Sequence, residues 1–104
     1  MSRIAQTPEP PYYAVIAPAE LATDIEGYAE TAAKLLAIAP TQPGFLGIET
    51  CLEHGFSMAV SYWQSLDAID GWRRRAEHLA AKGMARTKWF RGYVTRIAKV
   101  ERVY

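Results

Sequence analysis

The sequence FLGIETCLEHGFSMAVSYW, residues 45–63, carries the strongest structural signal in the chain. Residues 45–52 are strand-like, and residues 56–63 alternate between two sets of side chains, which is the period of a sheet whose two faces differ. The dipeptide His54-Gly55 separates these segments and is typical of a tight turn. The pattern therefore predicts a β-hairpin.

Helical patterns lie on both sides of this hairpin. Over residues 20–39, apolar residues recur at three- and four-residue steps, which predicts an amphipathic helix that ends before Pro40. After the hairpin, Ser65 stands at an N-cap position and Lys82-Gly83 at the end of a second predicted helix. Residues 84–90 are predicted to form a short helical or irregular segment.

The outer segments complete the fold prediction. Residues 12–17 (YYAVIA) predict a first strand that ends at Pro18, and residues 93–104 (YVTRIAKVERVY) predict a long last strand. Residues 1–11 contain three prolines and predict a flexible N-terminal arm, which leaves residues 12–104 as one domain. The order is β-α-β-β-α-β, which predicts an α+β, ferredoxin-like fold with a four-stranded antiparallel sheet and both helices on one face.

This arrangement leaves the other face of the sheet bare. Two copies packed face to face, with their last strands crossing between subunits, would close it into a dimeric α+β barrel. Charge falls on both alternating sets of the last strand, which suits a subunit boundary, although an ordinary solvated edge strand is the alternative. In the first interpretation the homodimer interface includes Val94, Arg96, Ala98 and Val100.

Composition narrows the function classes. Twelve basic and eleven acidic residues give a net charge of +1, so a nucleic-acid partner is not expected. The single cysteine, Cys51, cannot form an internal disulfide, and the lack of a Cys/His cluster predicts no metal site. With no apolar run long enough to span a membrane, the sequence predicts a cytoplasmic protein.

Four motifs carry a resemblance to a known family. They are PGFLGIE at 43–49, SYWxSLDAI at 61–69, WRxxxEH at 72–78 and RxxWFxxYxxRIAxVER at 86–102. Together they resemble the antibiotic biosynthesis monooxygenase family over most of the chain. The resemblance implies a homodimeric barrel with a pocket in each subunit between sheet and helices. Some members oxidise aromatic polyketides with oxygen and without metal or flavin, a related branch binds and cleaves haem, and many members have no known activity.

The haem-cleaving branch has a motif that can be compared residue by residue. It uses an asparagine on the first strand, a tryptophan on the second helix and an iron-ligating histidine ten residues after that tryptophan. This sequence matches only Trp72, because it contains no asparagine and has Lys82 at the tenth position after Trp72. Haem degradation is therefore not expected, and the resemblance implies an enzyme without a bound cofactor.

Oxygenation without a cofactor needs an apolar slot for a planar molecule, a group that removes a phenolic proton and donors for the resulting anion. Four aromatic residues are candidates for the substrate pocket, namely Tyr13, Tyr62, Trp72 and Trp89. The alternative is that these rings only fill the core. The sequence thus favours a monooxygenase acting on a small aromatic or quinol-type molecule, with a non-catalytic module that binds a small apolar ligand or another protein as the second hypothesis.

The catalytic base is not identified by any motif. His78 is the candidate, because an ordinary imidazole titrates near neutrality. An ideal helix through residues 66–82 places it away from the apolar stripe, which favours exposure to solvent. A role at the edge of the pocket would require a tilted helix or coverage by the partner subunit.

Overall fold

The computed structural model describes residues 2–82 and 86–104, with the backbone alone for residues 80–82, 86 and 87. The first half contains β1 (Tyr12–Leu21), α1 (Tyr28–Ile38), a turn of 3-10 helix (Ala39–Thr41), β2 (Phe45–Glu53) and β3 (Phe56–Trp63). The second half contains α2 (Leu66–Lys82), α3 (Arg86–Trp89), β4 (Phe90–Tyr93) and β5 (Arg96–Val100). The predicted β-α-β-β-α-β order is confirmed, with the last strand divided in two.

The strands form one antiparallel sheet in the order β2-β3-β1-β4, and β5 also pairs with β1. Helices α1 and α2 lie on the same face of this sheet. The Tyr28 hydroxyl of α1 lies 3.5 Å from Ser57 Oγ, and the Trp72 ring of α2 stacks on Trp63. Since Ser57 and Trp63 are an even number of residues apart on β3, they point to the same side. The α+β ferredoxin-like fold with an antiparallel sheet is confirmed.

The two faces of the sheet follow from this register, and we call them the helix face and the open face. Members of the helix face on the two central strands are Tyr13, Val15, Ala17, Ala19 and Leu21 of β1 and Ser57, Ala59, Ser61 and Trp63 of β3. Members of the open face there are Tyr12, Ala14, Ile16, Pro18 and Glu20 of β1 and Phe56, Met58, Val60 and Tyr62 of β3.

The predicted hairpin is confirmed. Strands β2 and β3 pair up to Glu53 and Phe56, and the two residues between them, His54 and Gly55, have φ values of 50° and 77°. Two successive positive φ angles match the twist of the flanking strands. The N-cap at Ser65 is also confirmed, because its Oγ accepts the Ala68 N–H at 3.1 Å. The predicted C-terminal signal at Gly83 lies outside the described residues.

The prediction that the first strand ends at Pro18 is wrong, because β1 continues to Leu21. The Pro18 carbonyl accepts the Val94 N–H at 3.3 Å, so in this antiparallel pair the missing proline N–H also faces Val94. Proline therefore interrupts the ladder on that side only. This also corrects the single last strand, because β4 and β5 are separated at residues 94–95, opposite Pro18. The two strands share one register against β1 from Tyr12 to Glu20, and the register shifts between Glu20 and Leu21.

The start of the first helix is also corrected, from residue 20 to Tyr28. Glu20 and Leu21 belong to β1, where Leu21 is buried, pairs with Phe90 and donates its N–H to the Gly55 carbonyl. The helical spacing of this segment is thus overridden by contacts with distant residues. Among the helices within residues 2–82 and 86–104, none has the length and apolar character needed to cross a membrane.

Candidate functional site

A first aromatic cluster lies on the helix face around Trp63, which is fully buried. Trp72 stacks on it with ring centroids 5.7 Å apart and an interplanar angle of 22°, and Phe45 meets it edge-on at 5.4 Å. The Trp63 Nε1–H donates to Ser61 Oγ at 2.8 Å, so its polar atom is satisfied inside the protein. Trp63 therefore acts as the fixed support behind Trp72.

A second aromatic cluster lies where β1 ends and α1 begins. Tyr28 meets Trp89 edge-on at 5.7 Å and Phe90 at 6.0 Å. Trp89 is only 4% exposed, and its Nε1–H donates to the Glu26 carbonyl at 2.9 Å. Gly27 has φ of +86°, and a Cβ there would lie 3.4 Å from the Trp89 ring, so the backbone passes close beneath the indole. Trp89 is anchored to the start of α1.

Small side chains form the floor of the helix face between the two clusters. Val15 and Ala17 on β1 and Ser57 and Ala59 on β3 are each partly exposed, although they lie on the central strands of a sheet covered by helices. Alanine and serine cannot fill the space below a helix as larger side chains would. We call this partly exposed surface beside the helices the helix-side cleft. The Tyr28 hydroxyl reaches across it to Ser57 Oγ, at 3.5 Å.

The structure brings together two of the four predicted pocket residues. Tyr13 pairs with Trp63 across the strands and Trp72 stacks on Trp63, so both belong to the first cluster. Trp89 belongs to the second cluster, level with Leu21 on β1 and therefore roughly 25 Å along the strand from Tyr13 at about 3.3 Å per residue. Tyr62 lies on the open face, on the opposite side of the sheet from Trp72.

Tyr62 has a polar environment of its own. Its hydroxyl donates to Glu49 Oε1 at 2.6 Å, and Tyr12 packs edge-on against its ring at 5.8 Å. Burial, the hydrogen bond to Glu49 and the negative charge of that carboxylate raise the pKa of Tyr62 to about 12. The phenol is therefore a neutral donor at physiological pH, and Glu49 is a site residue that the sequence did not indicate.

The residues predicted for the dimer interface share one surface. Arg96, Ala98 and Val100 pair with open-face residues of β1, and Val94, which is 40% exposed, lies against Pro18. Val94, Ala98 and Val100 extend the apolar part of the open face along this edge, and Arg96 places a positive charge within it.

His78 and Cys51 both face solvent. The His78 side chain is exposed on α2, as the helical spacing favoured, and Cys51 is an exposed free thiol on β2. Within the part of the chain that the structure describes, no group of three or more His, Cys, Asp or Glu residues is placed to hold a metal ion. The polar groups on the helix-side cleft are hydroxyls, above all those of Tyr28 and Ser57.

Comparisons with known proteins agree with this architecture. A family model described as antibiotic biosynthesis monooxygenase matches residues 19–83. A relative in Bacillus subtilis (strain 168), the uncharacterized protein YqjZ, is 48% identical over 103 residues, which cover 98% of this chain and 90% of the relative. The ferredoxin-like domain with its helix-side cleft thus has a defined class: the chain belongs to the antibiotic biosynthesis monooxygenase family.

Solved structures give the same fold at low sequence identity. A variant of SnoaB, a cofactor-independent oxygenase from Streptomyces nogalater, superposes with a TM-score of 0.71 at 14% identity, covering 88% of this chain and 95% of that one. PA3566 from Pseudomonas aeruginosa superposes with a TM-score of 0.70 at 14% identity, covering 92% and 98%. These likenesses are to the fold.

Proposed function

We propose that this protein is a cofactor-independent monooxygenase that oxidises a small aromatic or quinol-type molecule in the helix-side cleft. The observation that carries the proposal is the partly exposed floor of small side chains, Ala17, Ala59 and Ser57, between two aromatic clusters. A flat ring fits over small side chains, and the indole of Trp72 supplies an apolar wall for it. Family membership and the likeness to SnoaB support the same chemistry.

The reaction needs no external reductant when the substrate itself supplies the electrons. In an anthrone-type substrate, loss of a proton gives an electron-rich anion that reacts with oxygen at the ring methylene carbon. One oxygen atom becomes the new carbonyl and the other leaves as water, so the oxidation of CH2 to C=O supplies the four electrons that O2 accepts. The hydroxyls of Tyr28 and Ser57 border the cleft and are the donors available for the anion.

Proton removal is the step with the least defined residue. His78 is exposed on α2, so it serves as the base only where a second subunit covers it. A substrate that is already anionic at the assay pH would not need it. Comparing the rates of His78→Ala and the parent protein separates the two cases, because the substitution lowers the rate only where His78 removes the proton.

The protein also pairs with a second copy through its open face. Apolar side chains of β1 and β3 point away from the helices there, and one of them, Phe56, is 45% exposed. The tail after β5, residues 101–104, supports this pairing. The ladder of hydrogen bonds between β5 and β1 ends at the pair Tyr12–Val100. The residues before Tyr12 are Pro10 and Pro11, which have no N–H to donate to the tail. Among the described residues, no backbone hydrogen bond is formed by residues 101–104, so a strand of another subunit can pair with them.

Oxygen uptake with a panel of hydroxylated anthrones and quinols tests the proposed activity. We expect one oxygen molecule consumed per substrate, and one labelled oxygen atom in the product when 18O2 is used. Trp72→Ala should lower kcat/KM about a hundredfold, as misplacement of a bound reactant does. Leu66→Ala, which changes an exposed residue of the same helix, is the matched control. No uptake with any substrate, or equal rates for the two variants, would contradict the proposal.

A non-catalytic binding module is the second candidate, and one observation favours it. The only ionisable base suggested by the sequence, His78, faces solvent, whereas the cleft offers neutral hydroxyls. Such a cleft suits a neutral apolar ligand. A purified protein that retains a lipophilic molecule, detected by mass spectrometry of an organic extract, and consumes no oxygen would support this candidate. Haem is not an expected ligand, and a titration without a Soret shift would agree.

A further inference from the structure

We propose that residues 2–11 form a strap that Glu49 fastens across one end of the open face, and that the strapped face is the surface recognised by a second copy of the chain. This inference rests on the proposed pairing of two copies and extends it to a specific part of the interface. Three observations support the proposal. They are the hydrogen bonds of the strap, the close approach of its backbone to β2, and the apolar surface beside it.

The fastening uses both oxygens of one carboxylate. Glu49 Oε1 accepts the Tyr62 hydroxyl at 2.6 Å, and Oε2 accepts the Ala5 N–H at 3.1 Å. Nearer to β1, Thr7 Oγ1 and the Tyr12 hydroxyl lie 2.8 Å apart. The strap itself contacts Tyr12 on β1 and Glu49 on β2, the strands on either side of β3, so it crosses three strands of the sheet. Hydrogen bonds to a charged acceptor are the stronger kind, which makes Glu49 the main attachment.

A glycine on β2 allows the strap to lie this close. A Cβ built on Gly47 would be 2.7 Å from the Ala5 Cβ, a distance that real side chains do not tolerate. The strand is irregular at this point, with a register shift between Phe45 and Gly47. The bulge and the glycine together bring the β2 backbone against Ala5, and any larger residue at position 47 would lift the strap.

The surface beside the strap indicates what covers it. The strap buries Tyr12 to 4% exposure but presents Ile4, which is 70% exposed. On the same face, Ile16, Met58 and Val60 continue the apolar surface. A partner large enough to cover these side chains also meets the strap, because the two surfaces are continuous.

A second copy is the partner that these features fit. The net charge of +1 gives little repulsion between identical chains. The open face carries both signs, with Arg96 beside Ile16 and with Glu20 and Glu53 beside Phe56, so a twofold arrangement can set unlike charges opposite each other. The strap and the tail also border an open groove of about 440 Å³, lined by Thr7–Pro10 and Glu101–Tyr104. The strap therefore lies at the same end of the sheet as the tail.

The inference is tested in the whole chain by enlarging residue 47 on β2 and then reducing residue 5 on the strap. Gly47→Ala should displace the strap, and Ala5→Gly in the same chain should let it return, because the clash is between the two Cβ atoms. Gly71→Ala is the matched control, since this glycine lies on α2, on the other side of the sheet, and a Cβ there meets nothing within 4 Å. Hydrogen exchange at the Ala5 amide reports fastening, and sedimentation equilibrium gives the dissociation constant of the dimer.

In Gly47→Ala we expect both the Ala5 exchange rate and the dimer dissociation constant to rise about tenfold, the ratio that loss of one charge-assisted hydrogen bond produces. The double variant should return both values to within about threefold of the parent, and Gly71→Ala should change neither. Glu49→Gln provides a second route that leaves the packing intact. A neutral amide oxygen cannot hold both donors as firmly, so exchange and dissociation should rise together there too.

The possible failures are distinguishable. Unchanged Ala5 exchange in both Gly47→Ala and Glu49→Gln would overturn the fastening. Faster exchange with an unchanged dissociation constant would overturn the part played by the strap in pairing. A parent protein that sediments as one chain at micromolar concentration would overturn both the pairing and this inference, whereas the oxygen-uptake result stands or falls by itself.

Discussion

The two faces of the sheet are covered by different parts of the chain and to different extents. On the helix face, Trp63 is fully buried beneath Trp72 of α2, and Ile69 of the same helix is also buried. On the open face of the same strand, Phe56 is 45% exposed, and large side chains become buried only where residues 2–11 cross, as Tyr12 does. One chain therefore supplies enough helix to cover β3 on one side only.

Because of this difference, the two faces suit different functions. The helix face holds a stacked pair of indoles on the same side of the sheet as small side chains, and such a surface suits contact with a flat molecule. The open face holds a polar attachment at Glu49 and otherwise apolar side chains, which suits contact with a protein surface. Changes on the helix face should thus affect stability and ligand binding first, and changes on the open face should affect assembly first.

The largest effect is expected for Trp63→Ala. This indole is 0% exposed and contacts two other rings, so its removal should lower the free energy of unfolding by about 3–5 kcal/mol. Urea denaturation monitored by circular dichroism measures the change. Leu66→Ala, at a residue that is 50% exposed, should cost less than about 0.5 kcal/mol. Similar losses for the two variants would mean that Trp63 does not support the helix face.

A smaller effect is expected where α2 meets β2. Gly44 has φ of +81°, and a Cβ there would lie 2.6 Å from the Ala68 Cβ, so Gly44→Ala combines backbone strain with a clash. We expect a loss of about 2–3 kcal/mol by urea denaturation. Gly55 has a similar φ of +77° with nothing near its Cβ position, so Gly55→Ala should cost only about 1 kcal/mol. Equal losses would show that the clash is relieved by movement of α2.

The hairpin and α2 could be predicted from sequence because their signals are local. Strand alternation, a turn at His54-Gly55 and an N-cap at Ser65 each depend on residues close in the chain. The start of α1 could not be predicted this way, since Leu21 is held in β1 by pairing with Phe90. The break in the last strand likewise depends on Pro18, which is far away in sequence.

The candidate site was predictable in part for the same reason. Helical spacing identified Trp72. The alternation of residues 56–63 already places Tyr62 and Trp63 on opposite faces, although Tyr62 rather than Trp63 is the predicted pocket residue. No local signal links Ala5 to Glu49, which are 44 residues apart. That contact depends on tertiary structure alone.

The smallest effect is expected on the open face, for Tyr62→Phe. The hydroxyl donates to Glu49, so its loss should cost about 1 kcal/mol at pH 7, measured by urea denaturation. Burial and the Glu49 carboxylate raise the pKa of Tyr62 to about 12, whereas an unfolded tyrosine titrates near 10. The folded state thus holds the proton more tightly, so the stabilisation is complete below about pH 10 and is lost as the pH rises through about 12.

Phenylalanine cannot titrate, so the difference between parent and Tyr62→Phe isolates this group from the other tyrosines and lysines. We expect a constant difference in the free energy of unfolding from about pH 7 to 9 and a steady decrease above about pH 10. Tyr104→Phe, at a fully exposed residue, should show no such decrease and is the control. If the difference stayed constant to the highest measurable pH, the hydrogen bond to Glu49 would not be formed in solution. Glu49 would then be free to hold the Ala5 N–H alone.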